Sequence, residues 1–338
     1  MTPDRFQQIT DRYPRLRIGL VGDFCLDRYF EIDPARQERS IETGLPVHNV
    51  VRVRCQPGGA GTILNNLSAL GVGLIKPVGF AGEDAEGHEL LQSLRTKRGV
   101  GLGFFFRTAM RQTFCYTKPL VITPGQAPVE LNRLDFKNWT PTPATLQGWL
   151  VDSLQTLSRM ADAISVLDQV DVPETGVVTR RVLDALGEIA NNQPGLFVIA
   201  DSRRGLRGFP PVCLKMNRAE LSALTGGPAE ASLSEVKQRA TALAEHNRRS
   251  VFITLAEEGI VGAAPDGTVE HVPALPIRGE IDIVGAGDAV TANLTAGLAA
   301  GATLREALEL ANAAASIVIH QLGTTGTASV SQLAELLV

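Results

Sequence analysis

Short apolar runs alternate with helix-period segments along most of this chain, and that alternation limits the fold more than any other feature. Runs at 17–22 (RIGLVG), 72–80 (VGLIKPVGF), 163–167 (AISVL), 196–200 (LFVIA), 212–216 (VCLKM) and 250–255 (SVFITL) have the length and composition of buried strands. Helical patterns over 62–70, 84–97, 143–160, 177–191, 217–225 and 232–247 separate most of them. Such repeats build βαβ units, so the expected class is α/β, with a mostly parallel central sheet covered by helices on both faces. Ligands on these sheets bind beyond the carboxyl ends of the strands, which directs attention to the polar residues just after each run.

Two stretches break the rhythm. Segments 28–56 and 103–135 are strand-like and hairpin-like with no helix period. We expect them to form a small β subdomain attached to the main sheet, placed as a lid over an active site. Ordinary edge strands of the same sheet are the alternative. A length of 338 residues, 44% hydrophobic, is enough for a large core and admits one large domain or two smaller ones.

The charge balance, 32 basic against 36 acidic residues, lacks the basic excess of a nucleic-acid binder, so no nucleic-acid partner is expected. Neither a run of 18 apolar residues nor a secretory signal is visible, so no membrane partner is expected and a cytoplasmic location is. The cysteines at 25, 55, 115 and 213 have no CxxC spacing and the histidines no HxxxH pair, which suits reduced thiols rather than disulfides or zinc.

The most informative stretch is 282–301, DIVGAGDAVTANLTAGLAAG. Gly285, Ala286 and Gly287 precede a run of small, helix-compatible residues. They are expected to form a first helical turn whose free N–H groups bind an anion, with no side chains at the glycines to keep a phosphate away. Asp288 shares that turn and is expected to stay ionised. Two roles are open to it: a base taking a proton from an attacking hydroxyl, or a first-turn acid that stabilises its helix. The chain has no GxxxxGK[ST], and no GxGxxG follows the first strand, which excludes a P-loop and argues against a Rossmann site. Thr303 to Glu306 reads as a capping box opening a second helix that runs through Asn312 to about His320.

Two weaker signals accompany this one. Gly58, Gly59, Ala60 and Gly61 lead into a helix pattern closed at Gly71, a junction where glycines are also common for structural reasons. Asn217 and Glu220 (NRAE) follow the run VCLKM and share one helix face, where they can hold Mg²⁺ through its waters or cap the helix.

The order of these three features resembles the ribokinase-like (PfkB) family of sugar kinases, from about Arg17 onward. Within it the chain is most similar to the D-glycero-β-D-manno-heptose 7-phosphate kinases, through GDFCLDRY (22–29), SIETGLPV (40–47), RQTFCYTK (111–118), NRLD (132–135), ADSR (200–203), NRAE (217–220) and LANAAASIVIHQLGT (310–324). The resemblance implies a three-layer α/β/α sandwich with a β lid, 1–338 forming a single kinase domain, and ATP-dependent phosphorylation of a hydroxyl on a sugar or sugar phosphate. It implies that Asp288 is the catalytic base and Gly285, Ala286 and Gly287 the anion hole. Asn217 and Glu220 would organise Mg²⁺, Asp282 would border a monovalent cation such as K⁺, and Asn217, Thr254, Gly259 and Asn312 would line the nucleotide site. Asp27, Gly58 and Gly59 would contact the sugar, with Arg111, Lys118 and Asp168 also on the acceptor side. Lid strands in this family often serve as dimer interfaces, which makes a homodimer through the lid an expectation.

The chain departs from the family pattern on the acceptor side. GGAGT puts Thr62 where an asparagine is usual, Tyr116 stands where heptose kinases carry a lysine, and Leu167 to Pro173 replaces an SDYGKG-like segment, keeping Asp168. Such changes can alter the acceptor, so kinases acting on fructose, ribose or a nucleoside, and a non-catalytic sugar or nucleotide sensor, stay open. Heptose enzymes are often fused to an adenylyltransferase; with the chain ending at Val338, that second activity is not expected here.

Overall fold

The computed structural model describes residues 1–228 and 230–338. Its strands are β1 (Arg17–Gly22), β2 (Phe24–Ile32), β3 (Glu38–Arg39), β4 (Pro46–Val47), β5 (Val50–Gly59), β6 (Leu74–Gly82), β7 (Phe105–Thr108) and β8 (Phe114–Val121). They continue as β9 (Val129–Glu130), β10 (Leu134–Phe136), β11 (Ala163–Asp168), β12 (Phe197–Ser202), β13 (Cys213–Asn217), β14 (Val251–Thr254), β15 (Ile260–Ala263) and β16 (Val269–Val272). The helices are α1 (Pro3–Thr10), α2 (Ala60–Ala69), α3 (Ala85–Arg95), α4 (Ala144–Ser158), α5 (Arg180–Asn192), α6 (Arg218–Thr225), α7 (Leu233–Asn247), α8 (Ala286–Ala299), α9 (Leu304–Ile319) and α10 (Val330–Leu337).

Nine strands form the main sheet in the order β16-β15-β14-β13-β12-β11-β1-β6-β7. From β14 to β7 every pairing is parallel, as βαβ connections require. Alternate side chains face opposite helix layers. Val21, Ile164, Val166, Val198 and Ile253 pack in a core with residues of α4, α5 and α7. Ile18 and Leu20 face residues of α2, α8 and α9, while Ile199 and Phe252 meet α8 and α9 further along the sheet. Both faces are therefore dry, which is why the strands read as continuous apolar runs rather than as alternating ones.

The second sheet has the order β10-β8-β2-β5, with β9 added to β8. Of 28–56, β2 and β5 enter it while β3 and β4 pair only with each other in a separate two-stranded sheet, and 103–135 also divides: β7 joins the main sheet beside β6, and β8 to β10 go to the second one. β7 pairs in parallel with β6 from Gly79 opposite Phe105 to Gly82 opposite Thr108, and Phe105 also meets the Phe24 ring of β2 edge-on at 5.1 Å, so β7 packs against both sheets. The antiparallel edge β15-β16 carries no signal in the strand runs read from sequence, its two strands being four residues each. Arg28 of β2 pins the second sheet to α3 through Glu86 (2.8 Å) and Glu89 (3.0 Å). None of the described helices is long and apolar enough to cross a membrane.

Ile164 lies at the centre of this arrangement, fully buried on β11. Ile164→Ala should lower unfolding free energy by about 2–5 kcal/mol in a urea titration, and a loss below about 1 kcal/mol would contradict the two-face packing.

Candidate active site

The parallel strands end together, and the polar residues just beyond them converge. In the β12-β13 register Ala200 pairs with Leu214, which places Asp201 beside Lys215 at the carboxyl ends. Lys215 is only 7% exposed, and its ammonium donates to Asp201 Oδ2 at 2.7 Å. Burial pulls the Lys215 pKa down, but Asp201, Asp288 and Glu220 outweigh it and the net shift is upward, so the charge is retained. Sequence reasoning missed this pair. Its signal was the position: an acid and a lysine each at the end of a neighbouring strand, with Lys215 two residues before Asn217.

Above the ammonium sits the turn that starts α8. Gly285 is its N-cap, in the left-handed region at φ 84°, and a Cβ there would overlap Thr325 O, so only glycine is accommodated. The first helical bond runs from Ala289 N–H to Gly285 O, leaving the N–H groups of Gly287 and Asp288 without an intrahelical acceptor. The expectation that Ala286 also offers a free donor is corrected: its N–H closes a tight turn on Ile283 O at 3.2 Å. A Cβ at Gly287 would stand 3.0 Å from Lys215 Nζ, which places the buried cation against the bare backbone of the turn. Free donors, a helix N-terminus and a fixed cation make this a place for a phosphate group.

Asp288 differs from expectation in its charge. Burial raises its pKa to about 7, with Lys215 opposing and Asp201 and Asp27 adding to the rise. The carboxylate expected to stay ionised thus has its pKa raised toward neutrality by burial and by two further acids, although the turn itself is half-buried rather than sealed.

The Asn217 and Glu220 pair realises its structural role. Asn217 Oδ1 accepts from Glu220 N–H (2.9 Å) and Glu220 Oε2 accepts from Asn217 N–H (2.7 Å), a complete capping box on α6. The second carboxylate oxygen of Glu220 has no hydrogen-bond partner among the described residues. Thr254 lies opposite Asn217 in the sheet register, Gly259 closes the turn from β14 to β15, and Asn312 of α9 donates to Pro273 O at 2.7 Å after β16. These residues therefore gather along one end of β13 to β16. Asp282 accepts N–H groups from Val284 (3.0 Å) and Gly323 (3.3 Å).

On the other side Asp27 of β2 lies against Gly58, where a Cβ would collide with its carboxylate. Burial raises the Asp27 pKa to about 6, against the pull of Lys118 and Arg133. Lys118 of β8 sits 5.6 Å from the Tyr29 ring. Gly59 ends β5 as the N-cap of α2. Arg111 does not join this group: its guanidinium bonds Thr140 Oγ1 (3.0 Å) and Thr140 O (2.6 Å), and burial lowers its pKa. Asp168 at the end of β11 accepts from Ser202 (2.8 Å) and Arg204 (2.7 Å), and burial together with Asp23 raises it to about 7. Of the altered positions, Thr62 keeps a buried hydroxyl with no partner among the described residues, Tyr116 lies under Arg133 at 5.1 Å, and Asp171 pairs with Lys137 at 2.7 Å.

Residues 210–330 match the model of the pfkB family carbohydrate kinase. The bifunctional protein HldE of Trichlorobacter lovleyi is 31% identical over 324 residues, 94% of this chain and 62% of that protein. The HldE of Pseudomonas fluorescens is also 31% identical, covering 93% of this chain and 62% of its own length. The chain is similar to the PfkB carbohydrate kinases, by the family model over 210–330 and by these relatives over most of its length. It spans less than two thirds of the curated relatives it matches. The PfkB fold is shared with Arabidopsis thaliana ribokinase, solved with ribose and ATP, at TM-score 0.68, 22% identity and coverage of 95% of this chain and 98% of that one. Escherichia coli phosphofructokinase-2 in complex with potassium gives TM-score 0.70 at 19% identity, covering 95% and 97%. The architecture is thus the ribokinase-like sandwich that the sequence motifs implied.

Because Asp288 titrates at about 7 in the folded chain against an ordinary 3.8, the folded state binds its proton more tightly than the unfolded one. That contribution is complete below about pH 4 and is lost as pH rises through 7. Wild-type stability relative to Asp288→Asn should therefore fall between those limits in parallel urea titrations, and a difference flat with pH would refute the shift.

Proposed function

We propose that this domain transfers the terminal phosphoryl group of ATP to a hydroxyl of a sugar or sugar phosphate. The observation that carries the reading is the stack of Asp201, Lys215 and the 285–288 turn, with Asp288 poised near neutrality at its edge. Phosphoryl transfer needs mainly positioning and neutralisation of charge on the phosphate oxygens. The N–H groups of Gly287 and Asp288 and the Lys215 ammonium would supply both. Asp288 would accept the proton of the acceptor hydroxyl as its oxygen bonds to phosphorus and the bond to ADP breaks.

Asn217, Thr254, Gly259 and Asn312 are assigned to the nucleotide side. Mg²⁺ would neutralise phosphate charge when bound; the open oxygen of Glu220, with Asn217 beside it, suits a hydrated ion held mostly through substrate phosphates. Asp282 is assigned to the border of a monovalent cation site, in line with the potassium complex of E. coli phosphofructokinase-2. On the acceptor side we assign Asp27, Gly58, Gly59, Lys118 and Asp168, and leave out Arg111, whose guanidinium is engaged by Thr140. The heptose 7-phosphate class is the first acceptor to test, given the HldE relatives.

We read residues 1–338 as one kinase domain in the cytoplasm, the second sheet being its lid. That sheet exposes Val51, Val53, Leu134 and Phe136, an apolar surface that supports its use as a homodimer interface.

An ADP-release screen with heptose 7-phosphate, fructose phosphates, ribose and nucleosides tests this reading. Turnover with at least one acceptor is expected, and tight binding of ATP and acceptor without ADP would point instead to a sensor. Asp288→Asn should lower kcat by about 10² or more with little change in ATP affinity, whereas near-normal turnover would remove Asp288 from the mechanism.

A further inference from the structure

Phosphoryl transfer needs the acceptor hydroxyl and the terminal phosphate held at one separation, yet the groups assigned to the two stand on different elements: Asp27 on β2 of the second sheet, and the 285–288 turn at the start of α8. One side chain lies between them. Gln56 of β5 is directly opposite Asp27 in the antiparallel register, so the two share a face of the second sheet. Half-buried, it spends its whole amide on neighbours: Oε1 accepts from Thr324 Oγ1 (2.9 Å), and Nε2 donates to Thr325 Oγ1 (3.0 Å) and to the Tyr29 hydroxyl (3.3 Å).

Thr324 and Thr325 belong to the loop between α9 and α10, and that loop backs the anion turn. Thr325 O occupies the space a Cβ at Gly285 would need, and Gly323 N–H donates to Asp282 Oδ2 at 3.3 Å. The loop is also fixed from its far side. Asn66 of α2 donates to Gly326 O (3.4 Å) and accepts from Ala328 N–H (3.3 Å), while Gln321 donates to Thr327 O (2.7 Å) and accepts its N–H (3.0 Å). Among the described residues no backbone hydrogen bond joins this loop to β5. Side chains alone make the joint, Gln56 with three bonds and Arg54 with one to Gly323 O at 3.4 Å.

We propose that Gln56 is a positioning residue: it fixes the second sheet to the loop behind the anion turn and so sets the separation between acceptor and phosphate. This rests on the phosphoryl-transfer reading above. Each substrate can be held by its own side of the cleft, whereas in-line attack needs both sides in register at once. Loss of the joint should therefore fall on the rate rather than on binding, and a displacement of about 1 Å can cost about 10²-fold.

Steady-state ADP release is measured for wild type, Gln56→Met, Thr325→Val and the double variant, substitutions that keep side-chain size and remove the bonds. Gln56→Met should lower kcat about tenfold or more with KM for ATP and acceptor within about threefold of wild type. Thr325→Val should lower kcat in the same way but less, and the double variant should fall no further than Gln56→Met, because both changes cut one joint. Unchanged kcat, a loss confined to KM, or losses that multiply in the double variant would each overturn the proposal. Hydrogen exchange separates the joint from the reaction. The Ala286 and Ala289 amides, which bond Ile283 O and Gly285 O, should exchange about threefold faster or more in both single variants, while amides of α4 keep their wild-type rates. A chain that releases no ADP with any acceptor would fail the kinase reading, and exchange then decides alone: equal rates at the turn in wild type and variants would overturn the joint.

Discussion

A buried ammonium ion must be compensated, and much of the site follows from how Lys215 meets that demand. Asp201 on the neighbouring strand takes one of its hydrogen bonds, and Asp288 and Glu220 add attraction from across the turn. The bare backbone at Gly287 approaches the cation closely, a Cβ there standing 3.0 Å from its nitrogen. Charge, glycine and helix start are therefore one requirement seen from three places. Replacing any of them leaves either an unpaired buried charge or a turn pushed off it.

The same economy appears at Asp288 and Asp27. Both carboxylates are raised by burial, to about 7 and about 6, and each is restrained by cations, Lys215 in one case and Lys118 with Arg133 in the other. Asp27 also adds to the rise at Asp288, so the second sheet influences the chemistry of the first.

Much of this was legible in the sequence. Strands buried on both faces read as unbroken apolar runs, and α8 and α9 announced themselves through a glycine turn and the Thr303 and Glu306 capping box, which the structure reproduces. What escaped reading was set by register and by neighbours far along the chain. Asp201 and Lys215 stand 14 residues apart, and only the parallel pairing of β12 and β13 makes them partners. The upward shift of Asp288 arises from burial, with Asp201 of β12 and Asp27 of β2 adding to it, and the place of β7 in the main sheet depends on its parallel pairing with β6. The NRAE motif shows the reverse case: a capping box explains both residues locally, so its presence alone says little about metal.

The central claim is that the 285–288 turn, resting on Lys215, receives a nucleotide's terminal phosphate. A crystal structure with Mg²⁺ and a non-hydrolysable ATP analogue tests it most directly. The account predicts terminal phosphate oxygens about 3 Å from the N–H groups of Gly287 and Asp288 and from Lys215 Nζ. An analogue bound with its terminal phosphate away from that turn, and Lys215 still closed off beneath it, would contradict the account.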